Sequence, residues 1–246
     1  MSFEAGVRHC GADHTQNCRW HIYPSIRCLQ ERAALAVLRN ANRSIAERGA
    51  FHIVLAGGNT PKAVYRNLCD METQWAAWHV YFGDERCVAP DDPERNSKMA
   101  EDVWLDYVPI PPNQIHSIPA ERGGDAAALA YNEVLQSVSL FDLVLLGLGE
   151  DGHTASLFPG QEWGEHAGSP AVIAVHGAPK PPPDRVSLSA NRLGLARQVV
   201  FLVSGVSKHQ AVLDWVGGKP IPAASIFPPY GIDVLLERAC MLGDDD

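Results

Sequence analysis

The segment from Phe141 to Thr154 places the tightest constraint on what this chain can become. Apolar residues run nearly unbroken from Phe141 to Leu148, and Gly149, Glu150, Asp151, Gly152 and His153 follow at once. An apolar run of that length reads as a strand buried on both faces, as in the parallel sheet of an α/β protein. In such sheets ligands bind outside the carboxyl ends of the strands. The sequence therefore delivers Asp151 and His153 to the rim of a cleft. An imidazole exchanges a proton near neutral pH, which makes His153 a candidate general base beside Asp151. The competing reading is an exposed loop histidine with no chemistry.

Strand and helix patterns alternate along the 246 residues. Strands are expected at Trp20–Tyr23, Phe51–Ala56, Trp78–Phe82, Phe141–Leu148, Ala171–Val175, Arg185–Ser189, Gln198–Val203 and from Gly231 to Glu237. Helices are expected at Ser25–Arg48, closed by Gly49, and at Pro61–Cys69, Asn96–Trp104, Asp125–Val138 and Ser207–Val216. Val108–Pro119 reads as irregular, and Ala178–Asp184, with four prolines, as a surface excursion. Neither an internal repeat nor an interdomain linker is visible. The pattern predicts a single α/β domain over residues 1–246, with a mainly parallel central sheet flanked by helices.

Hydrophobic residues make up 46% of the chain, enough for a substantial core. A formal net charge of −9 argues against nucleic acid as a general partner, but a few focused cations can still hold a small anion. Met1–His14 lacks the apolar core of a signal peptide, and no run approaches the roughly 20 apolar residues of a membrane helix. A soluble cytoplasmic protein without a membrane partner is expected. The six cysteines, at 10, 18, 28, 69, 87 and 240, have no CxxC pairing and read as reduced structural thiols. Cys10, His14, Cys18 and His21 together match no common zinc spacing, so no metal is expected.

Three further strand ends carry chemistry. Gly57-Gly58-Asn59-Thr60-Pro61 lets the backbone turn tightly, with Asn59 or Thr60 able to cap the following helix and Pro61 suited to its first turn. Free amides at such a helix start form an anion cradle; the bland alternative is an ordinary strand-to-helix turn. In Gly83-Asp84-Glu85-Arg86, Arg86 can clamp an anion through its fork, while Asp84 can hold Arg86 or accept sugar hydroxyls. Lys208, in Gly205-Val206-Ser207-Lys208, stands at another strand-to-helix junction, and Arg185 opens a strand. No GxSxG elbow is present, so a covalent serine mechanism is not suggested. The residues point to an enzyme acting on a small phosphorylated metabolite.

Taken together these motifs resemble the family of 6-phosphogluconolactonases, which also includes the glucosamine-6-phosphate deaminases. The resemblance runs from Leu55 onward and rests above all on the segment from Gly147 to Gly160, then on Gly57–Pro61 and Phe82–Arg86. Weaker support comes from Arg185–Ser189, Ser204–Lys208 and Pro222–Ser225. It implies a modified Rossmann-like fold of the sugar-phosphate isomerase type. It also implies hydrolysis of 6-phosphoglucono-1,5-lactone to 6-phosphogluconate in the oxidative pentose phosphate pathway, without cofactor, by a monomer or small homo-oligomer. His153 would take a proton from water and Asp151 would support it. Gly57, Gly58, Asn59 and Thr60 would hold the phosphate with Arg86 and Lys208, then Arg185, and Asp84 and Asn96 would lie near the substrate.

The chain departs from the family pattern at two places. Asn59 stands where the family commonly has serine, and Arg95-Asn96-Ser97 replaces a usual Ser-Asn order. Two rival readings remain: a glucosamine-6-phosphate deaminase or isomerase, and a non-catalytic sugar-phosphate sensor. The deaminases carry a glutamate at the position of Phe158 and usually a tyrosine at that of Arg86, and both differences favour the lactonase. A sensor could dispense with its base, whereas Asp151 and His153 are both present.

Overall fold

A computed structural model describes residues 16–242. Cys10 and His14, the Met1–His14 reading and the acidic tail Asp244–Asp246 lie outside the described residues. The chain runs β1 (Cys18–Tyr23), α1 (Ile26–Arg48), β2 (Phe51–Leu55), α2 (Asn59–Leu68), β3 (Trp78–Phe82), β4 (Asp84–Arg86), α3 (Asn96–Val103) and β5 (Ile115–His116). It continues through α4 (Gly124–Leu135), β6 (Leu143–Gly147), β7 (Val172–Val175), β8 (Arg185–Leu188), α5 (Ala190–Gly194), β9 (Val199–Val203), α6 (His209–Val216) and β10 (Ile232–Glu237).

Seven strands form the central sheet in the order β1-β10-β9-β6-β2-β3-β5, all in parallel register. Every residue of β9 is buried, and so is β6 from Leu143 to Leu146, as expected of strands covered on both faces. Helix α1 presents Leu29, Ala33, Val37, Ala41 and Ile45, each four residues after the last, as one buried stripe. Burying each large aliphatic side chain of that stripe contributes about 1.5–3 kcal/mol. The Ser25 hydroxyl accepts the Cys28 amide at the start of α1, and Gly49, at φ 81°, closes its end in the left-handed region.

The structure departs from the single-sheet expectation. Asp84–Arg86 is a strand of its own, and β4-β8-β7 make a second, antiparallel sheet. The chain leaves the large sheet at Gly83, whose amide bonds Leu55 O while its carbonyl takes the Leu188 amide. Gly83 thus joins the two sheets, a pairing between segments about a hundred residues apart in sequence that local patterning cannot reveal. The segment expected to be irregular contains β5, two residues at the sheet edge. Helix α6 begins at His209 after a 3₁₀ turn at Val206–Lys208. Among the described residues, no helix is long and apolar enough to cross a membrane.

The amino-terminal edge of the sheet, away from the strand ends that carry the motifs, is closed by ion pairs. Arg19 grips Asp233 through two bonds of 2.8 Å, and the buried Asp142 lies 3.0 Å from Arg48 and 3.4 Å from Arg197. Asp142 also accepts the His52 amide at 2.9 Å, which satisfies a charge otherwise costly to bury.

Candidate active site

The loops after β2, β3 and β6 converge on a cavity of about 210 Å³. Two buried tyrosines hold the strand ends in place. Tyr65 on α2 accepts the Ala56 amide at 2.9 Å and donates to the Ala56 carbonyl at 2.8 Å. Tyr131 on α4 accepts the Phe82 amide at 3.0 Å and donates to His116 O at 3.0 Å. Both phenols are pushed well above their usual pKa by burial, so they stay protonated and keep both bonds.

At the end of β6 the chain folds back on itself. Gly149 N donates to His153 O at 2.8 Å, and Thr154 Oγ1 donates to Gly147 O at 2.8 Å. This turn sets the His153 ring directly over Gly149, where a Cβ would stand 1.9 Å from Nδ1, so only glycine fits. His153 Nδ1 is 2.5 Å from Asp151 Oδ1, and the Asp151 carboxylate also accepts the His153 amide at 3.3 Å. With Nδ1–H directed to a carboxylate, Nε2 is left as the proton acceptor. Burial pulls the His153 pKa below the ordinary imidazole range, opposed by the bond to Asp151. Burial pushes the Asp151 carboxyl up, but its bonds to His153 outweigh this and hold it below the usual value. The dyad is therefore a neutral imidazole beside an ionised carboxylate at neutral pH. Ala155, at φ 47°, lies in the left-handed region; such backbone strain, about 1–3 kcal/mol, collects where function constrains the chain.

The cavity brings together Gly57, Gly58, Asp84, Arg86 and Asn96 with His153, Arg185 and Lys208. Asn59 and Thr60 do not line it, and neither side chain caps α2. The cap of α2 is Gly58, with no side-chain bond; Asn59 is exposed, and Thr60 Oγ1 is 2.6 Å from Ser204 Oγ. The first helical bond of α2 runs from the Lys62 amide to Gly58 O, so the amides of Asn59 and Thr60 precede the ladder.

The cations are held in different ways. Arg86 does not pair with Asp84; its Nη1 reaches Glu94 O at 2.5 Å and Glu94 Oε2 at 3.3 Å. Its Nε is buried and has no partner among the described residues. Arg185 is buried, and its guanidinium is gripped by the carbonyls of Lys180, Pro181 and Pro182 at 3.0–3.2 Å. This gives the proline-rich excursion a structural role. Burial pulls the Arg185 pKa down and nearby Asp84 pulls it up. Lys208 Nζ is 3.8 Å from the exposed Glu150, a loose pair worth little in solvent and readily exchanged for a phosphate.

Two buried groups escaped the sequence reading. Glu85, fully buried, accepts the amides of Arg86, Asn96 and Ser97 at 2.9, 2.7 and 2.9 Å and so caps α3. Ser156, also fully buried, donates to Asp84 Oδ2 at 2.6 Å. The other Asp84 oxygen takes Asn96 Nδ2 at 3.0 Å. Both residues sit inside the recognisable motifs, but only their tertiary partners reveal what they do. Phe158, buried, packs its ring 4.8 Å from that of His153 and lies 5.5 Å from the Arg185 guanidinium.

Comparison with known proteins bears on this site. A family model described as glucosamine-6-phosphate isomerases/6-phosphogluconolactonase matches residues 24–233. A 6-phosphogluconolactonase of Synechocystis is 41% identical over 197 residues, covering 75% of this chain and 79% of the relative. One from Mycobacterium tuberculosis is 38% identical over 241 residues, covering 88% and 94%. The crystal structure of a Thermotoga maritima 6-phosphogluconolactonase superposes with a TM-score of 0.83 at 23% identity, over 90% of this chain and all of that one, which speaks for the fold.

Proposed function

This chain belongs to the family of glucosamine-6-phosphate isomerases and 6-phosphogluconolactonases, and within it we propose that His153 and Asp151 carry out the hydrolysis of a sugar-phosphate lactone. The protein is a 6-phosphogluconolactonase: it converts 6-phospho-D-glucono-1,5-lactone to 6-phospho-D-gluconate in the oxidative pentose phosphate pathway. The observation that carries the mechanism is His153, bonded to Asp151, lining one cavity with Arg86, Arg185 and Lys208.

His153 Nε2 takes a proton from a water molecule as its oxygen attacks the C1 carbonyl. The tetrahedral intermediate then collapses, the bond from C1 to the ring oxygen breaks, and that oxygen receives the proton to become the 5-hydroxyl. Bonds and protons balance without a redox step. A δ-lactone is an activated ester, so a positioned base suffices, and the reading calls for no metal, cofactor or acyl-enzyme. The phosphate rests on the amides of Asn59 and Thr60, close to Gly57 and Gly58, with Arg86, Lys208 and Arg185 as its cationic partners. Asn96 and Asp84 shape the floor. Phosphate binding, remote from the reacting carbon, fixes the distance from carbonyl to His153.

Phe158 favours the lactonase over the deaminase. Its position is in ring contact with His153, where a carboxylate would act on the imidazole and a phenyl ring cannot. We place the protein in the cytoplasm, as a monomer or small homo-oligomer. The test is consumption of freshly generated lactone by the purified protein and by His153→Ala, corrected for spontaneous hydrolysis. Acceleration that disappears in the variant, with 6-phosphogluconate still bound, supports the reading; full turnover in the variant removes His153 from the mechanism.

A further inference from the structure

Ser156 connects parts of the site that the reaction needs at a fixed separation. It lies three residues after His153, is fully buried, and follows Ala155 in its left-handed conformation. Its Oγ donates to Asp84 Oδ2 at 2.6 Å and accepts from Arg185 Nη1 at 3.4 Å, while its amide reaches Ser187 Oγ at 3.3 Å. On the other side of Asp84, Asn96 Nδ2 bonds Oδ1, and Asn96 Oδ1 fills the space a Cβ on Gly57 would occupy, 2.0 Å away. A continuous line of contacts therefore runs from the anion cradle at Gly57, through Asn96 and Asp84, to Ser156 and the loop that carries the base.

We propose that Ser156 is a positioning residue that, by binding Asp84, sets the distance between His153 and the groups that hold the phosphate. The proposal rests on the lactonase mechanism given above. Each Asp84 carboxylate oxygen already has a protein donor, which ties the side chain into this line of contacts. A substrate anchored at its phosphate presents its carbonyl at one place only, and the base must meet it there. Misplacing a reacting group by about 1 Å costs about a hundredfold in rate. Removing the Ser156 hydroxyl unties the loop but leaves the cradle amides intact, and Arg185 keeps its bonds to the carbonyls of Lys180, Pro181 and Pro182. The loss thus falls on turnover rather than on binding of the phosphorylated product.

The test compares wild type, Ser156→Ala, Asp84→Ala and the double variant, using fresh lactone for kcat and titration calorimetry with 6-phosphogluconate for Kd. Ser156→Ala is expected to lower kcat about ten- to a hundredfold and to move Kd by less than about threefold. In the Asp84→Ala background the same change costs less than about twofold more, because both substitutions cut one connection. A wild-type kcat in Ser156→Ala, or losses that multiply in the double variant, overturns the proposal. If thermal unfolding shows Ser156→Ala to be unfolded, Ser156→Cys, similar in size but a weak donor, takes its place under the same two criteria. Failure of the wild type to hydrolyse the lactone would refute the lactonase reading instead, before any substitution is considered.

Discussion

Adding a single methyl group at Gly149 tests the dyad without substituting either member. A Cβ there would stand 1.9 Å from His153 Nδ1, 2.2 Å from Cε1 and 2.6 Å from Cγ. To reach even a 3.4 Å contact the ring must retreat by about 1.5 Å, and in doing so it leaves Asp151. At about a hundredfold per ångström of misplacement, Gly149→Ala should lower kcat by at least about a hundredfold, or about 2.7 kcal/mol of barrier. Overpacking costs about 1–3 kcal/mol of stability, so Tm should fall by only about 2–12 °C in a domain of this size. Affinity for 6-phosphogluconate should be nearly unchanged, since the cradle and cations are elsewhere. Gly168→Ala serves as the control, because nothing lies within 4 Å of the added carbon. The assay is initial-rate lactone consumption above the spontaneous rate, with calorimetry for product binding. A Gly149→Ala enzyme with wild-type kcat would show that the imidazole over Gly149 is not the base, and the mechanism would fall with it.

Asp151→Asn removes the main group that raises the His153 pKa and leaves burial opposed only by the smaller effect of Asp84. The acid limb of kcat/KM should move to lower pH while its plateau drops at least about tenfold; an unmoved limb would detach Asp151 from the base. Lys208→Ala should raise KM with little effect on kcat, since its partner in the free enzyme is only the loose Glu150 contact; an unchanged KM would dismiss it as a phosphate ligand. His52, His79 and His116 stack across β2, β3 and β5, with ring centroids 4.6 and 5.9 Å apart. Burial depresses all three pKa values, with mutual repulsion added at His52 and His116 and Asp142 opposing it at His52. The unfolded chain therefore binds more protons, and the stability contributed is complete above the unfolded pKa of about 6.5 and lost as pH falls below it, by at most about 1.4 kcal/mol per unit of depression. His79→Asn should narrow the difference in Tm between pH 7.5 and pH 5.5, and an unchanged difference would refute this.

Much of the molecule is legible in its residues because the causes are local. The apolar runs at Phe51, Trp78, Phe141 and Val199 declare buried parallel strands, and the four-residue spacing from Leu29 to Ile45 declares a helix with one buried face. Glycines after all four of those strands mark where backbone and ligand can approach closely, and the order Asp-Gly-His points to the base. Tertiary structure alone decided the rest, because it depends on distances across the chain. Asp84–Arg86 becomes a strand only by pairing with residues 185–187, and Arg86 finds Glu94 rather than Asp84. Asn59 and Thr60 look like ligands in sequence, yet the direction in which α2 leaves Gly58 turns their side chains out of the cavity. Ser156 looks like any serine until burial forces its hydroxyl to find a partner, and the partner is a carboxylate that long-range folding brings within 2.6 Å. Local sequence thus determined which chemical groups stand at the strand ends. Which of them face one another was decided by packing, since an unpaired buried polar group costs more than a local conformational preference can offset.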